Sequence, residues 1–416
     1  MRILVLAHNH PEFHPGGTEI FAHDLFKAYQ RQGAEALFVA ATNALHREPR
    51  PGTSFQTVGP SGDEVVVWAG HFDRFYLSQT DSFGTLQDMA RLLAEFRPDV
   101  IHLHHLLLAG AELPFLARRV LPEARIVLTL HDYYPICHHD GLMLKTGTHE
   151  PCRRASPSAC KGCFPQIGAD RFLLREHKLR TLLGSVDQFV APSRFLRDRY
   201  VDWGLPAERI VVVPNGRPAA PAAPRPVPGG RVTFGYFGNL NPWKGVPVLL
   251  RAARLLAERG LDFTLRLHGG APFQTPEFRE RLEELAEPLG DRLLRLGPYG
   301  RDRMGELMEP VDAVVVPSIW WENAPLVISE AFQHGRPVIA SGIGGMAEMV
   351  RDGVDGLHAR PNDPHDLARA MARLIEEPGL LAQLAASVAP PPTIDATAAA
   401  HLKLFAPARA AERELA

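Results

Sequence analysis

"AVVVPSIWWENAPLVISEAFQHGRPVIAS", Ala313 to Ser341, carries a strand, a loop, a helix and a second strand in one short run. Ala313–Val316 is apolar at every position, which suits a parallel strand buried on both faces. "IWWEN" (Ile319–Asn323) reads as a loop. Pro325 suits the first helical position, where its missing N–H costs nothing. The helix then runs through "LVISEAFQH" and stops at Gly335. Val338–Ala340 is apolar again. Two such strands joined by a helix make a βαβ unit, so the fold class is α/β with parallel sheets.

The rhythm extends through the chain. Further strands are expected at Ile3–Ala7, Ala36–Ala41, Val65–Trp68, Val100–Leu103, Ile126–Leu130, Gln188–Ala191, Ile210–Val213, within "RVTFGYFG", and at Phe263–Leu267. "RPAAPAAPRPVPGG" (Arg217–Gly230) continues neither strand nor helix and reads as a semi-rigid linker. Two doubly wound, Rossmann-like domains facing across a cleft are therefore expected, over 1–216 and 231–390, joined by the linker at 217–230. The prolines of "VAPPPTIDATAAAHLKLF" break the helix before them, and a final helix begins near Ile394, within 391–416.

The totals agree with this division. A chain of 416 residues favours two domains, and 45% apolar residues suffice for two cores. A net charge of −2 without a basic run argues against nucleic acid as a partner. "MRILVLAHNH" is too short for a leader and lacks a cleavage pattern, and no run of about 18 apolar residues offers a membrane span. A soluble, cytoplasmic protein is expected. "DRFLLREHKLRTLLG" sets Arg171, Arg175, Lys178 and Arg180 among leucines. It reads as a core-facing amphipathic helix or as one touching anionic lipid at the inner face of a membrane.

In open α/β sheets, ligands bind beyond the carboxyl ends of the strands. After the first strand comes "HNHPEFHPGGTEI", in which Gly16 and Gly17 allow close backbone approach and Thr18 is placed to cap the next helix. An ordinary strand-to-helix turn would also need glycine. His131 and Asp132 end the strand of "IVLTLHDYYP", with the acid placed to orient the imidazole or to cap the next turn of chain. His102, His104 and His105 end another strand, without carboxylate spacing that would make them a metal cluster.

All four cysteines, Cys137, Cys152, Cys160 and Cys163, fall in one insertion at about 137–163. Four thiolates would complete a structural zinc site. Free thiols and disulfides are the alternatives.

In the second half, Lys244 precedes a helix that starts near Val246, a position suited to phosphate, with a solvent-facing lysine in a turn as the plainer reading. The amides of Ala324, Leu326 and Val327 are left unpaired by the helix they open. Glu322 precedes that helix and Glu330 lies inside it. Carboxylates accept from hydroxyls and amides donate to phosphate, so the ligand described has a phosphate between two hydroxyl-bearing rings. Two solvated glutamates are the plainer reading.

"ENAPLVISEAFQHGRPVIAS" followed by "GIGGMAEMVRDGVDG" resembles the E-x7-E block and the GG-x-x-E of the retaining glycosyltransferases of family 4, also called group 1, of GT-B fold. "PGGTE", "TLHD", "VVVPNG" and "FGNLNPWKG" fall in the family's order, and the resemblance spans nearly the whole chain. It implies that Glu322 meets donor-sugar hydroxyls. The segment Asn323–Ala324–Pro325–Leu326–Val327 would hold sugar and phosphate, and Glu330 the ribose. Lys244 would neutralise the diphosphate, Gly16 and Gly17 would approach it, and His131 would lie near the reacting carbon. The final helix would return to the first domain. Asn239 departs from the pattern by standing where the family has arginine, which removes a cation from the diphosphate.

The resemblance implies a retaining hexosyltransferase using a UDP or GDP sugar, with a saccharide or lipid-linked acceptor. Its product would serve polysaccharide, glycolipid or glycoconjugate synthesis, and no catalytic metal is expected. Two other functions fit the same residues: a nucleotide-sugar epimerase of this fold, and a non-catalytic sugar-nucleotide binder acting as a scaffold.

Overall fold

The structure, a computed structural model, describes residues 1–45, 48, 54–219, 231–272 and 274–406. The chain divides into two units, Met1–Pro218 with Pro392–Ala416, and Ala219–Pro391. Residues 220–230, most of the expected linker, lie outside the described residues.

Among the described residues the strands are β1 (Arg2–Ala7), β2 (Glu35–Thr42), β3 (Phe55–Thr57), β4 (Glu64–Trp68), β5 (Phe72–Asp73), β6 (Ser78–Gln79), β7 (Val100–Leu103), β8 (Arg125–Thr129), β9 (Gln188–Ala191), β10 (Ile210–Val212), β11 (Val232–Phe237), β12 (Phe263–His268), β13 (Leu293–Gly297), β14 (Ala313–Val316), β15 (Val338–Ser341) and β16 (Gly356–Ala359). The α-helices are α1 (Gly17–Arg31), α2 (Thr85–Phe96), α3 (Leu113–Val120), α4 (Pro157–Cys163), α5 (Ala169–Leu183), α6 (Arg194–Trp203), α7 (Val246–Glu258), α8 (Pro276–Ala286), α9 (Met304–Met308), α10 (Leu326–Gln333), α11 (Gly344–Met349), α12 (Pro364–Glu376), α13 (Leu380–Ala386) and α14 (Ile394–Phe405).

The first unit's sheet runs β10-β9-β8-β7-β1-β2-β4-β3, parallel except for the edge pair β3–β4. Chain direction across the sheet reverses between β7 and β1, so the loops leaving those strands frame the natural ligand crevice. The second unit's sheet runs β13-β12-β11-β14-β15-β16, all parallel, with its reversal between β11 and β14. Its crevice is framed by the loops after Phe237 and Val316. β13 and β16 were not expected from sequence. β13 exposes three of its five residues at the sheet edge, and β16 opens on glycine, so neither carries an unbroken apolar run.

Helix α14 packs in the first unit. Ile394, Ala398 and Phe405 join the core formed by Phe21, Phe26 and Tyr29 of α1. The buried Tyr29 hydroxyl sits between His102 Nδ1 at 3.1 Å and His401 Nδ1 at 2.9 Å, tying the helix to β7. Arg217 and Thr393 form a parallel bridge where the chain leaves and re-enters this unit.

The cations of α5 are engaged within the first unit. Arg175 is buried, and its guanidinium donates to the carbonyls of Phe75, Tyr134 and Pro135, each at 2.6 Å. Lys178 pairs with Glu112, Arg180 with Glu176, and Arg171 stacks over Phe75. Phe172, Arg175, Leu179 and Leu183 form the buried face of the helix, and Leu173 and Leu174 are its exposed apolar residues.

Candidate active site

In the second unit, the β11–α7 and β14–α10 loops meet. Gly245, the N-cap of α7, has φ of 72°, and a Cβ there would sit 1.9 Å from the Pro317 carbonyl oxygen. Only glycine lets the two loops touch in this way. Ile319 N–H donates to the Trp243 carbonyl at 2.9 Å, which stitches them together. The contact brings Lys244 Nζ to 2.6 Å from Glu322 Oε1. Ser318 Oγ and Trp320 Nε1 donate to the same oxygen at 2.8 and 2.9 Å. Glu322 is buried, so these charge-assisted bonds are what make its carboxylate tenable there. All three fall on Oε1.

Gly344 and Gly345 support the loop from behind. Gly345 N–H donates to the Glu322 carbonyl at 2.6 Å, and a Cβ on Gly345 would lie 1.6 Å from the Asn323 carbonyl oxygen. The glycine pair of the GG-x-x-E segment therefore shapes the backbone that carries Glu322.

Helix α10 starts one residue later than expected. Pro325 has φ −62° and ψ 121°, so it is the N-cap and not the first helical residue; Leu326 is. A proline's fixed φ is compatible with either place, and ψ decides between them. No side chain caps the helix. Glu330 is buried on α10, with Arg301 Nε 3.9 Å from its Oε1. Asn239 is exposed, and its carbonyl accepts from Tyr236 Oη at 2.8 Å.

In the first unit the groups lie beyond β1, β7 and β8. Gly16 is the N-cap of α1, with no side-chain cap, so Thr18 does not hold the position expected of it. The acid of the first turn, Glu19, folds back beneath the glycines, with its Oε1 3.1 Å from His8 Nε2. Sequence reasoning passed over Glu19, although a first-turn acid beside two glycines was a visible signal. It is 1% exposed. Burial lifts its pKa from 4.5 to about 7, against the opposing pull of its own N–H and of His105.

That shift has a sign. Between about pH 4.5 and 7 the folded chain keeps a proton that the unfolded chain has released, so stability falls as pH rises. The full loss approaches about 3 kcal/mol. Glu19→Gln is expected to match the natural chain near pH 4.5 and to melt higher at pH 8, measured by calorimetry at both. Equal melting at pH 8 would contradict the shift.

Asp132 does not orient His131 but caps the next turn of chain, its Oδ1 accepting from Tyr134 N–H at 2.8 Å. Its Oδ2 takes His105 Nε2 at 2.6 Å, while His131 Nε2 lies 3.0 Å from His104 Nδ1. Burial pushes the Asp132 pKa up, but the charge and hydrogen bond of His105 outweigh it and leave the carboxyl low. Burial drives His131 down to about 3 despite Asp132, so its imidazole is neutral throughout the physiological range. His102, His104 and His105 serve as hydrogen-bond partners of Tyr29, His131 and Asp132.

The four thiols form no disulfide. Burial raises the pKa of Cys137 to about 11, and those of Cys152 and Cys160 also rise. Among the described residues no three sulfurs come within 4.8 Å of one another. Ligands of one tetrahedral zinc at about 2.3 Å would sit about 3.8 Å apart, so the thiols are spread more widely than a loaded site holds them.

Sequence models of two families cover both units: "Glycosyltransferase Family 4" matches residues 15–220 and "Glycosyl transferases group 1" matches 231–377. The chain belongs to the group 1 glycosyltransferases of family 4.

This family 4 chain is 37% identical over 214 residues to the D-inositol 3-phosphate glycosyltransferase of Rhodococcus jostii, covering 48% of itself and 47% of that protein. The Salinispora arenicola enzyme of the same name is 32% identical over 284 residues, 62% of each chain. The chain thus spans about half the length of the first of these relatives. Among solved structures, sucrose-phosphate synthase of Thermosynechococcus elongatus superposes with a TM-score of 0.72 at 19% identity, over 97% of this chain and 98% of that one. Anabaena HepE, solved with UDP and glucose, gives 0.68 at 20%, over 97% and 99%. At such identities the likeness shows the GT-B fold.

Proposed function

We propose that this family 4 chain transfers a hexose from a UDP or GDP sugar to a saccharide or lipid-linked acceptor, with retention of anomeric configuration. One observation carries the reading: a lysine, a buried glutamate and the open N-terminus of α10 meet at the reversal point of the second sheet. A departing nucleoside diphosphate needs fixed positive charge, and Lys244 with the amides of Ala324, Leu326 and Val327 supplies it. That role is assigned to these groups and not to a divalent ion. Glu322 spends Oε1 on its own loop, which leaves Oε2 for sugar hydroxyls. Glu330 takes the ribose. Arg301 stands in for the cation absent at Asn239, since it already lies beside Glu330. For the first unit we assign Gly16 and Gly17 to diphosphate approach. His131, as a neutral imidazole, orients reacting hydroxyls by hydrogen bonding. Relatives of this chain are named for glycosyl transfer, and HepE was solved with UDP and glucose.

A thermal-shift panel of UDP and GDP sugars, followed by product analysis with and without glycoside acceptors, tests this. Donor conversion without acceptor would favour the epimerase. Binding with neither hydrolysis nor transfer would favour the scaffold.

No described helix is long and apolar enough to cross a membrane. We place the reaction in the cytoplasm, in keeping with four cysteines that form no disulfide. Any peripheral membrane contact is assigned to Leu173 and Leu174. We also propose that Cys137, Cys152, Cys160 and Cys163 close on a structural zinc. Chelation is then expected to lower the melting temperature and release zinc, with one equivalent fewer from a Cys160→Ser/Cys163→Ser variant. A metal-free preparation with unchanged melting on zinc addition would discard the zinc.

A further inference from the structure

We propose a second metal site in the first unit, formed by His10, His23 and Glu64, for a divalent ion of the zinc class. His10 leaves β1, His23 lies on α1, and Glu64 opens β4. Their ligand atoms all lie within 4.8 Å of one another, and they are the one such group of three found among the described residues. Nε2 of His10 and Nε2 of His23 stand 2.9 and 2.8 Å from Glu64 Oε2. Bonds of about 2.0–2.2 Å in tetrahedral array hold ligand atoms about 3.3–3.5 Å apart. A spread of about half an ångström therefore admits an ion.

The surroundings favour a cation. Glu64 Oε1 is held by Lys27 Nζ at 2.6 Å, which fixes the carboxylate and leaves Oε2 directed at the imidazoles. Asp63 shares that lysine at 3.9 Å, and Glu12 acts on His10 through its charge. Two carboxylates thus face the one ammonium, and a third acts on His10. Phe38 and Phe26 back the two rings, excluding water from one side. His10 is buried and His23 is partly open, so an ion has an entry path. Two imidazoles with one carboxylate suit zinc, cobalt or nickel rather than magnesium or calcium, and leave a coordination position open. Metal on Nε2 moves each ring proton to Nδ1. At His10 this gives up only the long 3.3 Å contact from Glu12 N–H. The ion would bind together β1, α1 and β4, and the proposal stands whether or not the chain transfers a sugar.

The test is a cobalt(II) titration of the full metal-free chain, read by bound equivalents and by absorption. Cobalt at this site carries no thiolate charge-transfer band, which separates it from cobalt on the cysteines. One band-free equivalent is expected, weakened at least about tenfold by Glu64→Gln and by His23→Gln, with any thiolate band unchanged. Zinc is expected to raise the melting temperature of the natural chain by about 3 °C or more beyond its effect on either variant, which keeps only what the cysteines contribute. The proposal is overturned if every bound equivalent shows the thiolate band, or if both variants bind as the natural chain does. Should Glu64→Gln fail to fold, His23→Gln decides alone, because its side chain is partly solvent-facing.

Discussion

Glu322→Gln is expected to lower sugar transfer by about a hundred- to thousandfold, the usual cost of removing one preorganised electrostatic group. The substitution keeps volume, and a carboxamide oxygen still accepts from Ser318 and Trp320, so the loop is expected to hold its shape. What it removes is the charge opposite Lys244 and the acceptor at Oε2. Lys244→Ala is expected to cost as much, by exposing the diphosphate charge and by leaving a buried carboxylate without its cation. Because the two side chains touch, the double variant is expected to lose little more than either alone. Single-turnover rates, with circular dichroism to confirm the fold, check all three. Near-natural turnover in both single variants would remove these residues from the site.

Gly345→Ala is expected to abolish donor binding and to cost about 1–3 kcal/mol of stability, the range for forced overpacking. The obstacle is backbone and not a flexible side chain: the new Cβ would lie 1.6 Å from the Asn323 carbonyl oxygen. The Glu322–Asn323 segment has to move, and the Lys244–Glu322 contact moves with it. Calorimetry and donor-induced thermal shift together measure this. A variant that melts and binds normally would show that the glycine pair does not shape the site.

Both predictions rest on elements visible in the sequence to different degrees. Strand β14 was legible because Ala313–Val316 is an unbroken apolar run, and burial on both faces leaves few other readings; β11 was legible through its apolar ends despite Thr233 and Gly235. The α10 start was off by one residue, since proline's fixed φ serves N-cap and first turn alike. Lys244 and Glu322 were each placed at a loop, but their pairing was not. They are 78 residues apart, and what joins them is the adjacency of β11 and β14 in the sheet.

The histidines show the limit most sharply. Asp132 beside His131 was read as orienting that imidazole or capping the next turn, and in the bend after β8 it does the second and not the first. The acid reached His105 instead, and His131 reached His104. Glu19 was visible as a first-turn acid but its burial was not, and the meeting of His10, His23 and Glu64 left no trace in local spacing. The sequence by itself determined the βαβ rhythm, the division into two units and the positions of the glycines and acids beside helix starts, because these depend on periodicity and backbone freedom over a few residues. Only the tertiary structure decided which charges meet, which are buried and which protons they keep. Those depend on strand order and desolvation, which act between residues tens of positions apart.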